Sequence, residues 1–314
     1  MKMENMEFPE ALKFLAARAG IVIETTELQK KELTQKELLR KVMTASARFY
    51  QEVLLNSPIG KNALAYLIKR GLDVKTIADY KLGYAPEGGD ALIRHLRSRK
   101  FDYKEMETAG LVRRGSRGDY YDYFRGRIIF PISDSQGREI GMGGRTMIDG
   151  EQPKYLNTPE TPIFIKRNVL YGLHLAKQKI RTEEEAFVVE GYMDAIALHG
   201  AGIENVVASM GTSLTEEQAH AIARYTHRVV FAYDADSAGE AATVRGIEIF
   251  EKAGLFVRVM TLPKGEDPDS LVTKKGAEYF KKQAEHAQSI VCLLYTSDAA
   301  DDLLCVDLGG RRII

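Results

Sequence analysis

The sequence has 314 residues, and its 44 Lys and Arg balance 44 Asp and Glu, so the formal net charge is zero. Its 45% hydrophobic and 28% charged residues are typical of a globular protein, and they exclude a disordered chain, a collagen and a bulk polycation. No apolar run approaches the ~20 residues that cross a bilayer, and the first ten residues lack the order of a secretory signal. We therefore expect a cytoplasmic protein without a membrane partner.

The first part of the chain has mainly helical patterns. Apolar residues recur at helical spacing, with Gly or Pro at several boundaries, which predicts helices over residues 9–16, 28–50, 62–70, 76–84 and 91–100. Residues 94–127 contain ten Lys or Arg against five Asp or Glu. This local excess of positive charge fits either a nucleic-acid surface or an ordinary solvated face.

The pattern changes to strands after Gly110. Two strands, at 127–132 and 139–142, are joined by a turn-rich segment, and the proline-containing segment 153–162 is predicted as a loop. From Glu183 onward, apolar strands predicted at 186–189, 205–208, 228–233 and 256–262 alternate with helices predicted at 192–199, 215–225 and 238–253. Strands separated by helices of this length predict an α/β fold with a parallel sheet that is covered on both faces.

Acidic residues follow three of these strands, at the edge of a parallel sheet where ligands bind. They are Glu190 with Asp194, then Asp234 with Asp236, and then Asp267 with Asp269. Carboxylates that lie close together disfavour each other's ionisation unless a cation lies between them, and oxygen ligands favour Mg²⁺ or Mn²⁺. A single acid of this kind is more simply explained as a helix cap, but three groups together predict a metal site.

Several motifs resemble a known family. Residues 190–194 (EGYMD), 208–212 (ASMGT) and 233–239 (YDADSAG) resemble the Toprim domain, which primases, topoisomerases and some nucleases share. The flanking motifs resemble the bacterial replicative DNA primase family, and they are 124–132 (FRGRIIFPI), 143–145 (GGR), 153–161 (PKYLNTPET) and 265–269 (GEDPD). The resemblance extends from near residue 1 to about residue 291. The sequence departs from the family pattern at Ala235, where Gly is usual, and at Met210, where Leu is usual.

The resemblance implies a mixed α/β, basic N-terminal subdomain followed by a Toprim domain, which is Rossmann-like with a parallel four-stranded sheet. We expect residues 1–35 to be a linker that follows a zinc-binding domain missing from this sequence. The basic subdomain is expected at 36–182, the Toprim domain at 183–270, and the start of a truncated helical subdomain at 271–291.

The implied activity is that of a DNA-directed RNA polymerase, which makes short RNA primers on single-stranded DNA from NTPs for chromosome replication. By the same resemblance, Glu190, Asp234 and Asp236 bind Mg²⁺, with Mn²⁺ as a substitute. The resemblance assigns three further acids, which complete or support the acidic site, as Asp194, Asp267 and Asp269. It assigns the basic residues that line the template and nucleotide groove as Arg125, Arg127, Arg145 and Lys154. The expected partners are single-stranded template, NTPs, the nascent primer and, through a missing C-terminal domain, the replicative helicase. Zinc is expected only in the missing N-terminal domain.

Two other classes of protein share parts of this pattern. A Toprim nuclease or topoisomerase fragment is one, although a topoisomerase requires a nucleophilic tyrosine on a separate domain and none is evident. A non-catalytic nucleic-acid-binding Toprim module is the other, although such a module is expected to have lost some of the acids. Tyr120, Tyr121, Tyr123 and Phe124 could stack bases, but alternation of this kind before a strand more often marks a core.

The last residues do not resemble the family. One codon reading of residues 292–301, and another of 305–314, resembles the adapters used to prepare sequencing libraries. We therefore expect 292–314 to be a non-native tail, with a natural divergent C terminus as the alternative. Both cysteines, Cys292 and Cys305, lie in this segment, and their absence from residues 1–291 excludes a cysteine-based zinc site there.

Overall fold

The structure is a computed structural model that describes residues 15, 18–19, 27–148, 150–211, 213–233, 240–263 and 265–289, without the side chains of 27–30 and 240–244. It divides into two compact units, the first Met1–Val53 with Gly83–Phe164 and the second Leu54–Leu82 with Ile165–Ile314. The predictions for Asp234, Asp236, the tail at 292–314 and, except for Leu15, the first helix at 9–16 lie outside the described residues. Within the part described, no helix is both long enough and apolar enough to cross a membrane.

The helices and strands of the described residues are numbered in chain order. The helices are α1 (Glu27–Asn56), α2 (Lys61–Lys69), α3 (Val74–Asp79), α4 (Ala91–Ser98), α5 (Tyr103–Thr108), α6 (Leu173–Glu183), α7 (Tyr192–Gly200), α8 (Glu216–Ala223), α9 (Glu240–Lys252), α10 (Pro268–Lys275) and α11 (Ala277–Glu285). The strands are β1 (Gly83–Ala85), β2 (Val112–Arg114), β3 (Tyr120–Asp122), β4 (Arg127–Ser133), β5 (Glu139–Thr146), β6 (Tyr155–Asn157), β7 (Ala186–Val189), β8 (Val206–Ala208), β9 (Arg228–Tyr233), β10 (Phe256–Thr261) and β11 (Gln288–Ser289).

The first unit is built on a four-stranded antiparallel sheet in the order β1-β4-β5-β6, with a separate hairpin of β2 and β3. Helix α1 packs on this sheet, and its Met43 and Tyr50 belong to the same buried cluster as Ile129 and Met142 of the strands. A Cβ on Gly83 would lie 2.6 Å from the Cβ of Tyr50. Glycine therefore allows β1 to lie close against α1.

The predicted helix over 76–84 is wrong in its second half. Helix α3 ends at Asp79, and Lys81 takes a left-handed backbone conformation with φ +52°. The amide of Leu82 then donates to the carbonyl of Ile77 at 2.9 Å, which closes the helix. This turn usually contains glycine or asparagine, so a lysine at that position hides the helix end from sequence analysis.

The sequence patterns also fail to predict several other short elements. Strand β6 lies within the predicted loop at 153–162 and pairs with β5, so that prediction is wrong for residues 155–157. The helix α5 and the hairpin β2–β3 were not predicted either. These elements have three to six residues each, which is too short for apolar periodicity to appear.

The second unit has a five-stranded sheet in the order β11-β10-β9-β7-β8. The four strands β10, β9, β7 and β8 are parallel, as predicted, and the two-residue β11 adds an antiparallel edge. Val188 and Phe231 pack in one buried cluster with residues of α6, α8 and α9. On the opposite face, the ring of Phe187 meets that of Phe280 on α11 at 5.5 Å. The sheet is therefore covered on both faces, and the predicted α/β fold class is confirmed.

Candidate active site

Glu190 follows the carboxyl end of β7, next to the end of β9. These strands are parallel neighbours, with Val188 opposite Phe231, so Glu190 lies close to Tyr233, the last residue of β9. The Glu190 carboxylate is half-buried. Burial raises the pKa of the Tyr233 phenol, and the nearby negative charge of Glu190 raises it further. The structure thus places one predicted metal ligand beside the strand from which Asp234 follows directly in sequence.

Asp194 lies in the first turn of α7, and its carboxylate joins two parts of this edge. One oxygen, Oδ2, accepts the amide of Gly191 at 3.1 Å, and Oδ1 accepts the amide of Asp269 at 3.4 Å. The negative charge thereby compensates the free N–H groups at the start of α7. The bond to Asp269 also brings the start of α10 to the edge of the sheet at which Glu190 lies. Asp194 and Asp269, two of the predicted site residues, are therefore in contact.

Asp269 is deeply buried, with 3% of its surface exposed, and it pairs with a positive charge from a distant part of the chain. Its carboxylate forms an ion pair with the guanidinium of Arg70 and accepts Thr273 Oγ1 at 3.4 Å. Burial raises the pKa of Asp269, although the Arg70 charge partly opposes that rise. Sequence analysis missed Arg70, because the two residues lie 199 positions apart and no local pattern connects them.

Asp267 caps helix α10. Its Oδ1 accepts the amide of Ser270 at 2.6 Å, and its own amide donates to Ser270 Oγ at 3.0 Å. Pro268 occupies the first helical position, which lacks a free N–H and suits proline. The local geometry therefore gives Asp267 the helix-capping role that was the simpler explanation for an acid after a strand. We call the four described acids, Glu190, Asp194, Asp267 and Asp269, the acidic edge.

The loop after β8 adds a constrained backbone that sequence analysis did not anticipate. The amide of Ser209 donates to the carbonyl of Val189 at 3.0 Å, immediately before Glu190. Met210 then adopts φ +63°, an uncommon conformation for a residue with a side chain, and Gly211 follows with φ +69°. Strain of this kind often lies at functional sites, and here it lies beside the acidic edge.

A metal site of three protein ligands is not complete within the described residues, since no group of three His, Cys, Asp or Glu side chains there could hold an ion. Two of the three predicted ligands, Asp234 and Asp236, are outside those residues. Glu190, the described ligand, offers the carboxylate oxygens that a hard cation prefers. The donor chemistry at this edge therefore fits a divalent ion of the magnesium type.

The predicted basic residues of the first unit gather at one end of its sheet. In the register of the strands, Arg127 of β4 is opposite Thr146 of β5, and Arg145 of β5 is opposite both Ile128 and Tyr155. Arg125 and Lys154 immediately flank these strands. We call Arg125, Arg127, Arg145 and Lys154 the basic end. Gly126, between Arg125 and Arg127, has φ +59°, which a residue with a side chain rarely adopts.

Arg127 differs from the other basic residues because it is bound inside the unit. It is 4% exposed, and its Nη1 donates to the carbonyls of Pro153 at 2.9 Å and Lys154 at 3.4 Å. Its Nη2 donates to Glu151 Oε1 at 3.2 Å. The guanidinium therefore holds the segment that leads into β6.

The remaining three basic residues reach the surface of the unit. Arg125 is exposed and lies over the ring of Tyr121, 5.3 Å from its centroid. Arg145 is half-buried and donates to the carbonyl of Thr146 at 3.3 Å, while Lys154 is exposed. The basic end thus contains one internal and three accessible cations, a division that the motif alone does not predict.

Two family models match the chain. The model described as DNA primase catalytic core, N-terminal domain, matches residues 49–177. The model described as Toprim-like matches residues 187–272, the segment that contains the acidic edge. Toprim primase cores are metal-dependent, which agrees with the donor chemistry of that edge.

The chain is also similar to curated and solved proteins. It is 41% identical over 291 residues to a DNA primase of Clostridium acetobutylicum, covering 93% of this chain and 48% of that protein. It is 43% identical over 283 residues to a DNA primase of Halalkalibacterium halodurans, covering 90% and 47%. The chain spans about half the length of these curated relatives.

A solved structure extends the similarity to three dimensions. It is described as the DnaG primase catalytic domain bound to ssDNA, it is 39% identical, and it superposes with a TM-score of 0.79 over 88% of each chain. Identity of this size over most of both chains, together with two family models in the expected order, is sufficient to assign a family. The chain belongs to the DnaG family of DNA primases and carries its catalytic core.

Proposed function

We propose that this chain is a DNA-directed RNA polymerase core that synthesises short RNA primers on single-stranded DNA. The observation that carries the proposal is the acidic edge, where Glu190 follows the end of one parallel strand and lies beside Tyr233 of the next strand. This edge lies in the segment that matches the Toprim-like model, within a chain that belongs to a primase family.

The acids have separate roles in this proposal. Glu190, Asp234 and Asp236 would hold Mg²⁺, with Mn²⁺ as a substitute. Asp194 and Asp269 orient the edge, because the Asp194 carboxylate binds the amide of Asp269. When bound, divalent ions would neutralise charge that develops on the phosphate oxygens during nucleotidyl transfer.

In the reaction, the 3′-hydroxyl of a primer or first nucleotide attacks the α-phosphate of an incoming NTP. A new phosphodiester bond forms and the hydroxyl proton passes to solvent, while the bond to the β-phosphate breaks and pyrophosphate leaves with the electron pair. The chain contributes position and electrostatics, which supply most of the rate in phosphoryl transfer.

The accessible cations of the basic end would contact phosphates of the template and the NTP. Arg125, Arg145 and Lys154 reach the surface of the first unit, and Arg127 positions Lys154 by binding its carbonyl. Phosphate contacts carry no sequence information, so binding should be tolerant of sequence and sensitive to salt.

Single-stranded DNA as template is supported by the solved relative described as bound to ssDNA. The NTPs, the nascent primer, the helicase and a cytoplasmic location follow from the family resemblance. We assign helicase contact and zinc binding to parts of the longer relatives outside the matched residues. On the same basis we propose the basic subdomain at 36–182 and the Toprim domain at 183–270.

The proposal is tested by extension of an RNA primer annealed to DNA, with Mg²⁺ and labelled NTPs. An annealed primer removes the need for initiation, in which a zinc-binding domain could take part. Wild type should incorporate NTPs, Asp236→Asn should lose nearly all incorporation, and Lys154→Ala should lose part of it. Plasmid nicking without incorporation would instead indicate a Toprim nuclease. If Asp234→Asn bound Mn²⁺ as wild type does, the proposed metal site would be wrong.

A further inference from the structure

A line of stacked arginine and tyrosine side chains connects α4 and α5 to the hairpin β2–β3 in the first unit. The rings of Tyr103 and Tyr120 stack with centroids 4.7 Å apart and an interplanar angle of 18°. The guanidinium of Arg97 lies over Tyr103 at 5.0 Å, and that of Arg114 lies over Tyr120 at 5.9 Å. We call these four residues the Arg–Tyr stack.

The Arg–Tyr stack lies on the opposite face of the hairpin from the basic end. Arg114 pairs with Tyr120 across the two strands, and Arg113 pairs with Tyr121. Successive residues of a strand point to opposite faces, so Tyr120 and Tyr121 face different ways. Because Arg125 of the basic end covers Tyr121, the surface formed by Tyr103, Tyr120 and Arg114 is a separate one.

The two arginines of the stack differ in how their charges are balanced. Arg97 is anchored, because its Nη1 donates to Asp102 Oδ1 and to the carbonyl of Phe101, each at 3.0 Å. Arg114 is exposed, and no carboxylate of the described residues forms an ion pair with it. Tyr103 is 39% exposed, which is high for an aromatic side chain. The stack thus presents an uncompensated, planar cation supported by two rings.

We propose that the Arg–Tyr stack is an accessory contact for a single-stranded nucleic acid, with Arg114 as the residue that meets the strand. A guanidinium offers a flat face for a base and N–H groups for a phosphate, and both are available on one strand. The ring of Tyr120, itself stacked on Tyr103, restricts the Arg114 side chain before binding, which lowers the entropy lost on contact. This inference rests on the proposed function, because the strand would be the template or the RNA made on it.

The chemistry of this contact does not require a 2′-hydroxyl. Stacking on a base and binding of a phosphate are possible for DNA and for RNA alike. Arg114→Gln should therefore weaken binding of labelled oligothymidylate and of labelled oligouridylate alike. A loss confined to one of them would contradict a contact made only by stacking and phosphate binding.

The decisive comparison is between two arginines of the same hairpin. Arg114→Gln and Arg117→Gln remove the same charge, but Arg117 is exposed in the turn and is not part of the stack. We expect Arg114→Gln and Arg114→Lys to weaken binding about fivefold, the lower end of the loss for one stacked base. Arg117→Gln should weaken it much less, and Arg114→Lys should leave the salt dependence unchanged.

A second measurement locates the strand and separates this inference from the proposed function. Oligonucleotides that contain 5-iodouracil should crosslink to Tyr103 or Tyr120, and Asp236→Asn should retain that crosslink while losing incorporation. Tyr103→Phe should retain the crosslinked site at Tyr120, and Tyr103→Ala should lose affinity as Arg114→Gln does. Equal losses from Arg114→Gln and Arg117→Gln, wild-type affinity of Arg114→Lys, or crosslinks confined to the basic end would each overturn the proposal.

Discussion

The acidic edge of the second unit and the basic end of the first unit both gather charges of one sign, but they stabilise them differently. The acids bind backbone N–H groups, as Asp194 does with Gly191 and Asp267 does with Ser270. The buried cation Arg127 binds backbone carbonyls of the segment before β6. Each region therefore stabilises its charges with main-chain groups of opposite polarity.

In each region, some charged residues are proposed to bind ligand and others hold the local structure. In the acidic edge, helix starts and strand ends determine where the acids lie, so helix-capping acids lie on the same surface as the proposed metal ligand. In the basic end, residues as close as Arg125 and Arg127 have opposite environments, one exposed and the other buried. Within each region, substitutions of the residues proposed to bind ligand and of those that support the fold should therefore affect different measurements.

The largest effect is expected for Glu190→Gln, on activity. Glutamine preserves the size of the side chain and removes the charge that a divalent ion requires. Primer extension should fall by more than about 100-fold, because loss of even an outer-shell partner of a metal ligand costs 10- to 100-fold. The rate of NTP incorporation at saturating Mg²⁺ measures this loss.

The matched control for Glu190→Gln is Glu204→Gln. Glu204 is exposed and precedes the amino end of β8, at the opposite edge of the parallel sheet. It should retain wild-type incorporation, and both variants should unfold at the wild-type urea concentration. Equal activity of the two variants would remove Glu190 from the active site.

A large loss of stability is expected for Arg127→Met in the first unit. The substitution keeps an unbranched apolar stem and removes the guanidinium that donates to the Pro153 carbonyl and pairs with Glu151. The Lys154 carbonyl loses only its second donor, because it also accepts the amide of Thr146 at 3.0 Å. The free energy of unfolding should fall by about 3 kcal/mol, the lower end of the range for a broken buried ion pair, because Glu151 is partly exposed. Urea denaturation measures it, and the exposed Arg125→Met provides the comparison. Similar losses from both variants would contradict the division of the basic end.

The fold could be predicted where the pattern is long and repeated. Four apolar strands separated by helices specify the parallel sheet of the second unit, which the structure confirms. The three-residue strands of the first unit depend on tertiary pairing, as β6 does with β5. The end of α3 depends on an unusual backbone conformation of Lys81. Local sequence patterns contain neither kind of information.

The site could be predicted only as far as strand order determines it. The parallel sheet predicts that Glu190 follows the end of one strand and lies beside the next, and the structure places it next to Tyr233. The partner of Asp269 could not be predicted, because Arg70 comes from a helix end far away in the chain. The burial of Arg127 could not be predicted either, since both arginines of the motif at 125–127 are identical in type and differ only in tertiary surroundings.

A smaller and pH-dependent effect is expected for Arg70→Gln. Burial raises the pKa of Asp269 in the folded protein, so this carboxyl contributes less to stability as the pH rises through that pKa. Loss of Arg70 raises the same pKa further. The variant should therefore lose about 1.5 kcal/mol of unfolding free energy at neutral pH, and the loss should shrink as the pH falls and Asp269 takes up a proton.

The test of this prediction is a double-mutant cycle measured by urea unfolding at neutral and at acidic pH. In an Asp269→Asn background, the buried carboxylate is absent, so Arg70→Gln should have little effect at either pH. A loss that stays constant between the two pH values, or persists in that background, would show that Arg70 acts by packing and not through the charge of Asp269.

The smallest effect on stability, and the sharpest test of the comparison, is expected for Lys154→Ala. The Lys154 side chain is exposed, and only its backbone carbonyl is bound by Arg127. Alanine preserves that carbonyl, so the free energy of unfolding should change by less than about 0.5 kcal/mol. Affinity for single-stranded DNA should fall, and the slope of log affinity against log salt should decrease by about 0.7, the value for one phosphate contact. Lys61→Ala, an exposed control in α2, should change neither quantity. If Lys154→Ala instead lost stability as Arg127→Met does, the whole basic end would be structural, and the phosphate contacts would have to be assigned to other residues.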